Sequence, residues 1–314
     1  MKRLLYLIIS LSIVMYNKTM KDIIEYYIVK VFIWVISFLP NKIVYKTLKI
    51  IAKLFFKYEK RRSTLTKRNL KLAFPAKSDE EIDSLAKKAY ESVAITIAEI
   101  ILMINDKLDY ENMLNNKEEA LKNLKEYTKN AKNGVIVITA HFSNWEFAAQ
   151  FLPRHGYPMI AIGREGNNKL IEKNFTTPFR ERYGNKNIYK KEAMINIVKG
   201  LRSSKNIGLL IDQKSGGKSS MKAKFFGKDA DTTTSIATLK LKYNPIILPI
   251  FMPRDEFGKY TPLVLEPVEY VAKEETDKTK KIELITQRYN DIFEEVIRTY
   301  PEQWFWMHNR WRLS

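Results

Sequence analysis

From Gly134 onward the chain alternates short apolar runs with helical stretches, and this alternation leaves few folds open to it. Runs at 135–139, 158–162, 207–211, 246–251 and 261–265 read as strands, with helices expected over 144–154, 168–183, 191–204, 234–243 and 277–299. A helix between two strands carries the chain back to the same edge, so such strands pair in parallel. The fold class expected is therefore α/β, with a mainly parallel central sheet flanked by helices. Val135 to Ile138 are apolar at every position, which suits a strand covered on both faces. Residues 41–130 keep helical spacing, with a turn at Phe74-Pro75 and an N-cap at Ser78 ahead of Asp79 and Glu80. They read as a helical layer preceding the sheet.

Three of the predicted strands end in charged or ionisable residues. VIVIT runs into His141, MIAIG into Arg164 and the strand ending at Ile211 into Asp212. In open α/β sheets ligands bind at the carboxyl ends of the strands, and an imidazole there can act as a general base near neutral pH. If the three strands are parallel neighbours, a base, a cation and a carboxylate share one rim. Taken singly, Asp212 can equally cap the turn through Gly216 and Gly217, and Arg164 can be a solvated loop charge. Glu146 follows His141 by five positions, which on a straight helix lie roughly 140° apart, so contact between them needs an intervening turn. Ser143-x-x-Glu146 has the form of a capping box, with Ser143 at the N-cap. Two roles are thus open to Glu146: orienting the imidazole or satisfying a backbone N–H.

With 314 residues, 45% of them hydrophobic, the chain can bury a large core, which excludes a disordered protein. Cysteine is absent, so disulfides and thiolate metal sites are excluded, and with three histidines no metal or other cofactor is expected. A formal charge of +19 calls for a polyanionic partner: nucleic acid, anionic lipid or an acidic carrier protein. Two apolar segments, Leu4 to Met15 and Ile23 to Leu39, lead into a basic flank running from Lys42 to Arg68. We expect residues 1–40 to be a membrane anchor of one or two segments. By the charge of that flank, residues 41–314 form a domain on the cytoplasmic side.

Taken together, several blocks resemble the bacterial lipid A biosynthesis acyltransferases, relatives of the glycerolipid acyltransferases. They are His141-Phe-Ser-Asn-Trp-Glu146 as an H-x4-E motif, NLKLAFP at 69–75, Arg164, FRERYG at 179–184, Asp212-Gln213, FFG at 225–227 and PEQWFWMHNRW at 301–311. The resemblance covers roughly residues 25–312. It implies transfer of a fatty acyl chain from a thioester, usually on acyl carrier protein, to a hydroxyl of a lipid A precursor at the bacterial inner membrane. It further implies that His141 is the base, that Glu146 holds its tautomer, and that Arg180 and Asp212 are needed for activity. Arg164, Asn144, Gln213, His308 and Arg310 are placed by the same resemblance with the substrates. Glu165 stands where the family often has proline, and Ser235 where it often has glycine. Another phosphorylated glycolipid or glycerolipid is an alternative acceptor. A nucleic-acid-binding protein is a remote alternative, because the aromatics cluster in the anchor and the terminal block rather than among basic residues on one platform.

Overall fold

The computed structural model describes residues 2–189, 192–217, 219–268 and 270–313, with side chains from Thr19 onward. Its first half is a helical layer. α1 (Lys2–Phe38) gives way at Leu39-Pro40 to α2 (Asn41–Tyr58), and α3 (Lys60–Ala73) begins where the Glu59 carboxylate accepts the Arg62 N–H. α4 (Asp79–Ile104) opens on the expected cap: the Ser78 hydroxyl oxygen accepts from the Glu81 N–H, and the Glu81 carboxylate accepts from the Ser78 N–H. Ala94, Ala98, Ile101 and Leu102 of this helix bury Ile33 and Ile36 of α1 and Val44 and Leu48 of α2. α5 (Lys117–Thr128) then leads into the sheet.

The second half runs β1 (Val135–Thr139), α6 (Trp145–Arg154), β2 (Met159–Gly163), α7 (Lys169–Ile171), α8 (Thr177–Glu181), β3 (Lys186–Tyr189), α9 (Ala193–Arg202) and β4 (Asn206–Leu210). It continues with β5 (Ser220–Phe225), β6 (Lys228–Thr233), α10 (Ser235–Tyr243), β7 (Ile246–Phe251), β8 (Leu263–Val264) and α11 (Lys278–Thr299). The main sheet has the order β3-β2-β4-β1-β7-β8, parallel throughout except for the short β8. β1 is interior and covered on both sides, as its unbroken apolar run requires. Ile136 and Ile138 face a core shared with Phe251, Phe293 and Trp304, whereas Val135 and Val137 face Phe147 and Phe151 of α6. Gly134 enters β1 at φ 75°, where a Cβ would stand 2.7 Å from the Lys205 carbonyl oxygen, so no other residue fits that turn.

Three elements differ from the sequence expectation. β3 is not among the expected strands, since KNIY carries one aliphatic residue and forms the sheet's edge. β5 and β6 form a separate antiparallel hairpin whose turn, Phe226-Gly227, has positive φ at both residues (52° and 71°). Its strands, SMKAKF and KDADTT, are too polar to announce themselves. The single helix expected over 168–183 is instead α7, a π-helical turn at Glu172–Thr176, and α8. Pro178 has no N–H for the Asn174 carbonyl, and the Thr177 N–H bonds to Glu172 instead, five residues back.

The expected amino-terminal anchor is not shown by the described residues. Among the described residues no helix is long and apolar enough to cross a membrane. The first apolar segment, Leu4 to Met15, lies outside the described side chains. From residue 19 on, Lys21, Asp22, Glu25 and Lys30 interrupt α1. What α1 and α2 do present is an apolar surface: Ile24, Tyr27, Ile28, Val31, Trp34 and Phe38 are exposed on the first, and Ile50, Ile51, Leu54 and Phe55 on the second.

Candidate active site

Ile138, Leu209 and Ile162 sit side by side in β1, β4 and β2, so His141, Asp212 and Arg164 all emerge two or three residues beyond one line across the sheet. The pair from adjacent strands meets. His141 Nδ1 lies 2.8 Å from Asp212 Oδ1, and the other Asp212 oxygen accepts from the Trp304 indole N–H at 2.8 Å. Asp212 is 2% exposed. An ionised carboxylate against Nδ1 puts the proton there and leaves the Nε2 lone pair free. Nε2 has no partner among the described residues, and the ring keeps 26% of its surface.

Burial works against a charged imidazole, but the Asp212 charge and hydrogen bond outweigh it, so His141 titrates above its ordinary 6.5; Glu146 adds to this and Arg180 subtracts. Burial alone would raise Asp212. The His141 charge and the hydrogen bonds from His141 and Trp304 hold it below its ordinary 3.8.

His141 is joined to α6 by a turn that departs from the expected capping box. Ser143 has φ 50°, a left-handed backbone held from both sides: its N–H donates to the Gln303 carbonyl at 2.6 Å, and its carbonyl accepts from the Thr96 hydroxyl at 2.9 Å. An N-cap residue is normally extended, so Ser143 cannot serve, and its buried hydroxyl has no partner among the described residues. Asn144 caps instead, its Oδ1 accepting from the Phe147 N–H at 2.9 Å. The N–H groups of Trp145 and Glu146 are left without acceptors among the described residues, open at the helix N-terminus beside His141.

Freed from capping, the Glu146 side chain turns to Arg180 of α8. Both carboxylate oxygens stand 3.1 Å from Nε, and Oε1 also accepts from Nη2. The expected Glu146–His141 hydrogen bond is therefore not made, and Asp212 occupies Nδ1 in its place. Glu146 acts on the imidazole through its charge. Arg180 is 27% and Glu146 10% exposed at the side chain, so Glu146→Gln strands a largely buried guanidinium. We expect it to cost about 1–3 kcal/mol, less than a fully buried pair because Arg180 keeps some water. The fall in urea midpoint at unchanged slope measures it.

A base locked by a buried carboxylate, with open amides and a guanidinium pair around it, fits proton abstraction from a hydroxyl and stabilisation of an oxyanion. The family described as bacterial lipid A biosynthesis acyltransferase matches residues 16–313. The chain belongs to that family. A lipid A biosynthesis acyltransferase of Haemophilus influenzae is 29% identical over 259 residues, 82% of this chain and 79% of its own. The lipid A biosynthesis lauroyltransferase of Escherichia coli is 24% identical over 291 residues, 89% of each chain. The palmitoleoyltransferase of the same bacterium is 26% identical over 262 residues, 81% of this chain and 79% of its own.

The acyltransferase arranges its other candidate residues unevenly. Arg164 is exposed on the shared rim with no ion pair among the described residues, and Gln213 is half-buried beside Asp212. His308 is half-buried, and its Nε2 accepts the Lys214 N–H at 3.1 Å; burial pushes its pKa down to about 4, so it is neutral and steadies the segment after Asp212. Two expectations of substrate contact fail on burial. Asn144 is 0% exposed with both ends of its amide engaged, by the Phe147 N–H and by Glu99. Arg310 is also 0% exposed; it donates to the Asp231 carbonyl and the Thr232 hydroxyl and lies over the Phe225 ring, holding the β5–β6 hairpin.

The sequence reading overlooked Trp304 and Gln303 as supports of the site, and Glu99 beneath it. The terminal block is where distant blocks converge. Phe74 packs on Phe226 and Trp306, Phe225 on Trp304 and Trp311, and the Asn69 amide donates to the carbonyls of Trp306 and His308, both at 2.8 Å. The signal available for Glu99 was a lone carboxylate inside the apolar run Ala98–Met103 of α4.

Proposed function

We propose that the acyltransferase moves a fatty acyl chain from the thioester of acyl carrier protein to a hydroxyl of a lipid A precursor, with His141 as general base. The observation that carries this reading is the His141–Asp212 pair with Nε2 left open. The acceptor O–H gives its proton to Nε2 as its oxygen attacks the thioester carbonyl. Asp212 stabilises the imidazolium that forms. The oxyanion of the tetrahedral intermediate is met by the open amides of Trp145 and Glu146 at the α6 N-terminus. Arg180, fixed by Glu146, adds positive charge nearby. Collapse breaks the C–S bond, and the departing thiolate takes the proton from the imidazolium. Gln213, His308 and Arg164 then border the substrates, with Arg164 the cation available to a phosphate.

The acceptor is a lipid, and the exposed apolar faces of α1 and α2 support a place on the membrane surface. The lysines of α2 (Lys42, Lys46, Lys49, Lys53 and Lys57) suit anionic headgroups, which favours the cytoplasmic face of the bacterial inner membrane. The test is a comparison of acyl carrier protein and coenzyme A thioesters of one chain length, offered with a tetra-acylated Kdo-lipid A precursor and followed by mass spectrometry. We expect transfer, saturating at lower concentration with the carrier protein. Equal or better use of coenzyme A would overturn the donor, and transfer only to other phosphorylated glycolipids or to glycerolipids would overturn the acceptor.

A further inference from the structure

Beneath α6 lies a buried polar cluster that the chemistry above does not use. Glu99 of α4 is 1% exposed. Its Oε2 accepts from the Asn144 Nδ2 at 2.8 Å and from the Tyr260 hydroxyl, and it stands 3.8 Å from Arg254 Nη1. Arg254 donates in turn to the Tyr260 oxygen at 3.1 Å and to the Ser92 hydroxyl at 3.2 Å. Its backbone exchanges two hydrogen bonds with the Gln303 side chain, at 2.9 and 2.8 Å, and the Gln303 carbonyl is the acceptor for Ser143. The cluster therefore touches the His141–α6 turn at two points, Ser143 and Asn144.

An asparagine side chain has one accepting and one donating end. Here the accepting end caps α6, so the donating end must find a buried acceptor, and Glu99 is that acceptor. Left unpaired, either end would cost the desolvation of a buried polar group, and the amide would turn over or the turn would shift. We propose that Glu99 is a positioning residue for acyl transfer. From below α6 it fixes the direction of the Asn144 amide, and thereby the turn that aims His141 and the two open N–H groups at the reacting carbonyl. This inference rests on the proposed reaction.

Capping alone makes a clear contrary statement, because asparagine and aspartate are about equally good N-caps. If Asn144 only capped α6, Asn144→Asp would be harmless. On the present inference it places a carboxylate against Glu99, and we expect kcat to fall on the order of 10²-fold with little change in KM, the scale of a displacement of about 1 Å in catalytic groups. Glu99→Gln alone keeps one carbonyl oxygen that can turn to the place of Oε2 and still accept from Asn144 and Tyr260, so a much smaller loss is expected. Combining Glu99→Gln with Asn144→Asp reverses the pair: a carboxylate caps the helix and an amide donates to it from below.

The double variant should recover kcat to about tenfold or more above Asn144→Asp alone, a coupling of the size seen for residues in contact. Rates are taken per folded molecule, with thermal melting recorded for each variant. Asn144→Asp at wild-type kcat, or a double variant whose losses simply add, would overturn the assignment. Should a single variant not fold, a folded and active double variant supports the pairing, and a folded, inactive one removes it. Should the wild type itself transfer no acyl chain, the proposed reaction fails separately. The pairing is then judged by melting, where a double variant no more stable than Asn144→Asp alone counts against it.

Discussion

His141→Asn is expected to lower kcat by about 10²- to 10⁴-fold, the usual contribution of a positioned general base. Asparagine is preferable to alanine because its side-chain N–H can still donate to Asp212, whose buried charge would otherwise lose one of its two side-chain donors. The fold is kept while the lone pair at Nε2 is removed, so the loss reports chemistry. KM for the thioester should change little, since no donor contact is deleted. Activity close to wild type would move the base elsewhere in the cleft. His308 is the other imidazole near Asp212, but its Nε2 already accepts the Lys214 N–H.

The largest effect is expected from Asp212→Asn. One end of the new amide must serve Trp304, whose indole N–H needs an acceptor, so the oxygen turns that way and the NH₂ group faces His141 Nδ1. The imidazole is then driven to the wrong tautomer, with its proton on Nε2, where the acceptor hydroxyl should deliver one. A loss of about 10⁴-fold in kcat is the cost recorded when a triad carboxylate becomes an amide. The pH profile separates this from a packing defect. In the wild type, kcat/KM is expected to rise with pH through an apparent pKa above 6.5, because the Asp212 charge overrides burial and keeps the ring protonated longer. Without that charge, burial prevails and the rising limb moves to lower pH, at a much reduced plateau. An unmoved limb would show that Asp212 does not set the titration of the base.

Stability should follow the same pair with opposite limits. His141, raised when folded, contributes stability below its unfolded 6.5 and loses it as pH rises through the folded value. Asp212, lowered when folded, contributes above 3.8 and loses it as pH falls through its folded value.

What could be read from the residues was whatever depends on short-range pattern. The uniform apolarity of Val135 to Ile138 announced a covered strand, and the charges just beyond three strands announced a rim, because register in a parallel sheet aligns strand ends of similar length. What could not be read was which rim residues touch. β4, 71 residues away in sequence, lies between β1 and β2, so Asp212 rather than Arg164 reaches His141. The roles of Glu146 and Ser143 turned on one backbone angle, the left-handed φ of Ser143, for which serine gives no signal comparable to glycine. Asn144 and Arg310 look like binding residues in a motif, yet burial assigns both to the scaffold.

The segment at 303–305 gives the site a history. It receives the Ser143 N–H, donates the Trp304 indole to Asp212 and donates the Phe305 N–H to the His141 carbonyl. Residue 305 follows residue 141 by 164 positions. At a synthesis rate of about 5–20 residues per second, the base must wait on the order of 10 s for the groups that hold it in place. During that interval the apolar faces of α1 and α2 already exist, whereas a locked His141 does not. A nascent chain therefore presents its apolar helical faces well before its imidazole is held in place.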